Sequence, residues 1–79
     1  MKDKIADVIR EIIHSKEFDE NTKLVTGGVL DSRDIISLTV ALEEKFGVSI
    51  DFGDVFLEDL ETLDSIAEFL HKQRENQKT

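Results

Sequence analysis

Ile5, Val8, Ile9, Ile12 and Ile13 recur at the i, i+3, i+4, i+7, i+8 spacing that lays apolar side chains along one stripe of a helix. A first helix is therefore expected from about Asp3 to His14, with Asp3 and Asp7 suited to the positive end of its macrodipole. The period then lapses. Residues 15–30 read as a long loop in which Phe18, Leu24, Val25 and Val29 anchor onto the core and Gly27-Gly28 permit a sharp turn. Ile35, Leu38, Thr39, Leu42 and Phe46 restore a one-sided stripe and predict a second helix from about Ser32 to Phe46. Asp31 suits its N-cap, Asp34 its first turn, and Gly47 its left-handed close. Val48, Ile50 and Phe52 fall in a connecting segment, and Asp54 to Asp59 leaves room for only a short third helix. Thr62 caps a final helix with Leu63, Ile66, Ala67 and Leu70 on its inner stripe, and a polar, frayed tail runs from Gln73 to Thr79. No strand-like alternation or internal repeat interrupts this pattern, and there is no Pro. The expected fold is all-α: one domain, a bundle of three longer helices and one short helix, ordered from about residue 3 to 72.

Composition narrows the chemistry. A chain of 79 residues has room for one modest core, with only about 60–65% of the unfolded surface removed from water. Charged residues make up 35% of it, so that core lies under a heavily solvated skin. The absence of Cys removes disulfides and thiolate metal sites. No apolar run reaches transmembrane length, and Met1-Lys2-Asp3 lacks the apolar core of a signal peptide, so a cytoplasmic location is expected.

Charge is distributed unevenly. From Asp31 to Asp64 there are ten acidic residues against only Arg33 and Lys45, so this segment accounts for the whole formal charge of −8. Such a field repels phosphates and argues against nucleic acid and anionic membranes; it favours protein partners bearing Lys/Arg patches. Ser32 stands at the head of this segment, at the mouth of the second helix. On Asp-Ser alone it is an ordinary capping residue, because the dipeptide is common. A hydroxyl at the rim of so asymmetric a field also fits a modification site. Ile36 and Val40 lie outside the core stripe of the same helix, beside Arg33, Glu43 and Glu44. They either pack beneath a loop or form an exposed apolar strip rimmed by charge, as on partner-binding surfaces. Asp54, Glu58, Asp59 and Glu61 either extend that surface or form a solvated face.

This layout, with Leu30-Asp31-Ser32 opening the second helix, resembles the acyl carrier protein family. Leu38 and Leu42 stand six and ten residues after the serine, Ala41-Leu42-Glu43-Glu44-Lys45-Phe46 is similar to the end of that family's second helix, Val48-Ser49-Ile50 to its following loop, and Thr62-Leu63-Asp64-Ser65-Ile66 to the start of its last helix. The resemblance covers roughly Ile5 to Leu70. It implies that a phosphopantetheinyl transferase attaches 4′-phosphopantetheine, drawn from coenzyme A, to Ser32, with Mg²⁺ at the transferase site. The chain would then carry an acyl or aminoacyl group as a thioester on the arm's thiol. The resemblance also implies docking of loading and processing enzymes through basic patches onto the acids Asp31, Asp34, Glu43 and Glu44, and Ile36 and Val40, with Arg33 beside them, complete the candidate partner-binding face. It implies further that a short acyl chain slips between the second and third helices, lined by Ile35, Thr39, Val55 and Leu57. Two departures, Arg33 directly after the serine and Ser37 where an acid is usual, point to a specialised carrier rather than a housekeeping fatty-acid carrier. The length of the segment between Ile50 and Thr62 points the same way, towards carriers of aminoacyl or polyketide pathways.

Other functions find less support. Asp51-Phe52-Gly53-Asp54 lacks the alternating oxygen ligands of an EF-hand loop, and His14 and His71 are far apart in sequence, so no designed metal site is expected. No Gly-x-Ser-x-Gly elbow or nucleophile–base pair is in view, so independent catalysis is not expected. The reading from another class is a helical interaction domain without a prosthetic group, in which Ser32 is buried or caps. A carrier fold that has lost its arm and serves as an adaptor is a third. Size and charge favour a monomer.

Overall fold

The computed structural model describes residues 2–14 and 17–76. Three helices carry the architecture: α1 (Lys2–Ile12), α2 (Ser32–Phe46) and α3 (Leu63–Asn76). α1 packs against both α2 and α3. The first element ends two residues before the expected His14, while the second matches its expected span. The polar residues from Gln73, expected as a tail, continue α3 as far as Asn76. Arg74 explains part of that extension, because its guanidinium donates to the Phe46 carbonyl at 2.8 Å, one of the unpaired acceptors at the end of α2. Residues 77–79 of the tail, and Ser15 at the start of the long loop, lie outside the described residues.

The expected short helix at Asp54 to Asp59 is replaced by two 3₁₀ turns, Phe52–Asp54 and Leu57–Leu60. Local side-chain bonds account for the difference. The Asp51 carboxylate accepts the Gly53 N–H at 2.9 Å and the Asp59 carboxylate accepts the Phe56 N–H at 3.0 Å, so each short acid holds its own tight turn. Val55 and Phe56 between them are extended, which breaks any continuous ladder.

One apolar cluster draws on every longer helix: Ile5, Val8, Ile9 and Ile13 from α1 and its exit, Ile35, Leu38 and Leu42 from α2, and Leu63, Ile66, Phe69 and Leu70 from α3. Leu24, Val29, Leu30, Val48, Ile50 and Leu60 close it from the connections. Phe69 is the core residue that the inner stripe of α3 omitted, although its i+3 spacing from Ile66 places it there. Thr39, the one polar side chain buried among the described residues, donates its hydroxyl to the Ile36 carbonyl at 2.8 Å and so brings no unpaired group into the core.

Candidate functional site

The start of α2 is built by a reciprocal cap. Asp31 is the N-cap: its carboxylate accepts the Asp34 N–H at 2.8 Å, and the Asp34 carboxylate accepts the Asp31 N–H at 3.2 Å. The Asp34 N–H is the main influence holding the Asp31 carboxyl below its ordinary range, with a smaller contribution from the Arg33 charge. Because Asp31 does the capping, Ser32 does not. Ser32 is the first residue of the helix, its side chain is exposed, and among the described residues its hydroxyl takes part in no hydrogen bond. At the other end, Gly47 closes α2 with φ 65° and donates its N–H to the Glu43 carbonyl, a conformation in which a side chain would be strained.

The approach to Ser32 is tightly knit. Leu24 donates to the Glu61 carbonyl at 2.6 Å and accepts from the Leu30 N–H at 2.7 Å, so the segment folds back immediately before the cap. Gly27 donates to the Lys23 carbonyl at 2.9 Å. A Cβ on Gly27 would collide with that same carbonyl oxygen, so the turn closes around a residue that has none. The Glu61 carboxylate accepts the N–H groups of Val25 and Thr26, each at 2.9 Å. These bonds, the Thr26 one foremost, hold its carboxyl below the ordinary range against a smaller opposing effect of desolvation. The sequence suggests Glu61 as one acid of a possible surface; the structure places it half-buried and bonded to the loop that precedes Ser32.

The expected docking residues divide into two groups. Ile36 and Val40 are 54% and 50% exposed, so neither packs beneath a loop, and Arg33 and Glu44 are exposed beside them in sequence. Asp31, though exposed, is committed to the cap with Asp34, and Asp34 is half-buried. Glu43 is half-buried and accepts the Ile50 N–H at 3.0 Å, which ties the loop after α2 back to the helix. A further exposed apolar group was not among the expected docking residues: Phe52, Phe56 and Leu57 are 53%, 66% and 59% exposed, all within the segment of the two 3₁₀ turns. Without a helical period around them, nothing local marks which face they take.

The four residues expected to line an acyl pocket differ in burial. Ile35 and Thr39 are buried, Val55 is half-buried against the core, and Leu57 faces solvent. Two surface hollows, one bounded by Arg10, Ile13, His14, Glu17 and Phe18 and the other by Val8, Glu11, Ala41, Glu44 and Lys45, include none of the four. Among the described residues no helix is long and apolar enough to cross a membrane.

A family model described as the phosphopantetheine attachment site matches residues 3–70, from the first turn of α1 to the middle of α3. The chain belongs to that family. No curated protein and no solved structure matches it. The phosphopantetheine attachment site is a carrier domain rather than a catalytic one, and its prosthetic group is covalently bound 4′-phosphopantetheine. The α-helical bundle accords with an acyl-carrier-like fold. Carriage on such an arm implies enzymes that install the group and enzymes that process what it holds.

Proposed function

We propose that Ser32 receives the 4′-phosphopantetheine arm from a phosphopantetheinyl transferase, and that the chain delivers acyl or aminoacyl intermediates to partner enzymes. The observation that carries this reading is the exposed, unbonded hydroxyl of Ser32 at the first position of α2, set apart from the cap that Asp31 supplies. The residues around it fit a phosphodiester. The helix N-terminus is a favourable place for negative charge. Arg33, the next residue, forms no salt bridge among the described residues. A cation in the first turn works against the macrodipole, and a phosphodiester on Ser32 offsets that cost.

In the loading step Ser32 Oγ attacks a phosphorus of the coenzyme A pyrophosphate. The bond from Oγ to the pantetheine-side phosphorus forms, the phosphoanhydride bond breaks, 3′,5′-adenosine bisphosphate leaves with the electron pair, and the serine proton passes to a base supplied by the transferase. No base within this chain is required. When bound, the arm supplies a thiol that holds the cargo as a thioester, and with no Cys in the chain that thiol has no internal partner for a disulfide.

Partner enzymes dock on the exposed α2 strip of Ile36 and Val40, with Arg33 and Glu44 at its rim, and on Phe52, Phe56 and Leu57 beside the acids Asp54 and Glu58. Apolar centres flanked by carboxylates suit partners whose pockets are ringed by Lys and Arg, with contacts weak enough for a shuttle to leave. Arg33, the exposed Ser37 and the long segment of 3₁₀ turns favour a dedicated carrier, size and charge favour a monomer, and the cytoplasm is the proposed location. The test is mass spectrometry after incubation with coenzyme A and a broad-specificity transferase. Wild type gains one arm and Ser32→Ala gains none; an unmodified wild type would leave a helical adaptor without a prosthetic group.

A further inference from the structure

We infer that Glu61 is a positioning residue for the loading of Ser32, holding the loop that precedes the serine in the form that the transferase engages. The inference rests on the reading of Ser32 given above. Three consecutive amides, those of Leu24, Val25 and Thr26, donate to this one residue: the first to its carbonyl at 2.6 Å, the others to its carboxylate at 2.9 Å. Leu24 passes the constraint on, because its own carbonyl accepts the Leu30 N–H at 2.7 Å, and Leu30 directly precedes the Asp31 cap. Glu61 therefore lies two hydrogen bonds from the residue that sets the start of α2. The bridge spans 35 and 36 residues of sequence for the two carboxylate bonds, so it joins parts of the chain that local turns cannot fix. It also withdraws one of the ten acids between Asp31 and Asp64 from the fully exposed charge field.

Glu61 touches neither Ser32 nor the reacting phosphorus. Its effect is on the fraction of molecules whose loop is docking-competent, and the apparent affinity of a partner falls in proportion to that fraction. Once docked, the same Oγ reacts. Loss of the carboxylate is thus expected to raise KM for loading and to leave kcat nearly unchanged.

The experiment compares wild type, Glu61→Ala, Glu61→Gln and the core variant Ile66→Val as substrates of the transferase, alongside amide hydrogen exchange of each apo chain. Glu61→Ala is expected to speed exchange at Val25 and Thr26 by about tenfold or more and to raise KM about fivefold or more at similar kcat. Glu61→Gln keeps a carbonyl oxygen as acceptor and is expected to restore most of both. Ile66→Val lowers stability without touching the loop and should leave KM near the wild-type value. An unchanged KM in Glu61→Ala, with Ser32 loaded in wild type, would overturn the positioning role and leave the attachment site standing. So would an equal rise in Ile66→Val. Failure of wild type to load would remove both readings. If Glu61→Ala does not fold, Glu61→Asp, which draws the acceptor back from the amides, takes its place with the same expected rise in KM.

Discussion

The two connections that flank α2 use their apolar residues in opposite ways. The one before it, leading to Ser32, buries Leu24, Val29 and Leu30 and closes on itself through backbone bonds. The one after it buries Val48 and Ile50 at its start, then exposes Phe52, Phe56 and Leu57 through two 3₁₀ turns. The function proposed above, with Ser32 as attachment point and the exposed segment as docking surface, needs both properties. The attachment point must be presented in one geometry to an enzyme that modifies it, so its mount is tied down. The docking surface must meet several partners and release each, so its apolar side chains stay outside the core, where burial against a partner becomes a new gain.

The sharpest way to break this contrast is to truncate one apolar side chain from each connection. Leu24→Ala removes a fully buried side chain and is expected to cost about 2–5 kcal/mol. Phe56→Ala removes one already in water and should change stability by no more than about 0.5 kcal/mol. Urea unfolding followed by circular dichroism measures both. Equal losses would mean that Phe56 supports the fold, and the division of labour between the connections would fail.

The same contrast explains what sequence could and could not reveal. The ends of α2 and the start of α3 were legible because their devices are local. Asp31 with Asp34, Gly47 after Phe46, and Thr62 with Ser65 each act within three or four residues. The stripes of α1 and α2 were legible because burial repeats with the helical period. Glu61 was not, since its carboxylate finds its donors 35 and 36 residues away and no pattern in the intervening chain announces the pairing. Glu43 was likewise read as a docking acid while its partner, the Ile50 N–H, lies beyond the helix end. The 3₁₀ turns were missed because a run of alternating acids and apolar residues suits a short helix as well as two turns, and only the side-chain bonds of Asp51 and Asp59 decide between them. Ser32 was legible as a candidate from its setting, but its freedom from capping depended on which of two adjacent residues took that role.

A smaller effect sharpens the docking half of the comparison. Replacing Phe52 and Phe56 together with Ser should weaken binding to a processing enzyme by roughly 5–30-fold, the effect of losing 1–2 kcal/mol at an interface centre. Loading of Ser32 should change less, because the loop before α2 is untouched. Raising the salt concentration should weaken the wild-type complex as well, since the acids Asp54 and Glu58 meet their partner at the rim and are screened beyond about 10 Å at 0.1 M ionic strength. Titration calorimetry at two salt concentrations separates the apolar loss from the electrostatic one. A double variant that binds as tightly as wild type would show that docking does not use this segment.

The smallest expected effect concerns acid, and it again sets the mount against the surface. Asp31 and Glu61 have carboxyl pKa values held below their ordinary 3.8 and 4.5 by backbone N–H donors that exist only in the folded chain. Below those ordinary values the unfolded chain binds protons that the folded chain still refuses. The stabilisation is therefore complete above the unfolded pKa of each group and is lost as pH falls through its folded one. Asp54 and Glu58 are exposed, and their carboxylates accept no hydrogen bond among the described residues. Glu61→Gln cannot titrate, so the slope of unfolding free energy against pH on the acid side should flatten relative to wild type. Unfolding by urea at steps of pH from neutral down to the acid limb measures the two slopes. If Glu61→Gln kept the wild-type slope, the acid response would belong to the charge of the whole segment rather than to the clasp that holds the loop before Ser32.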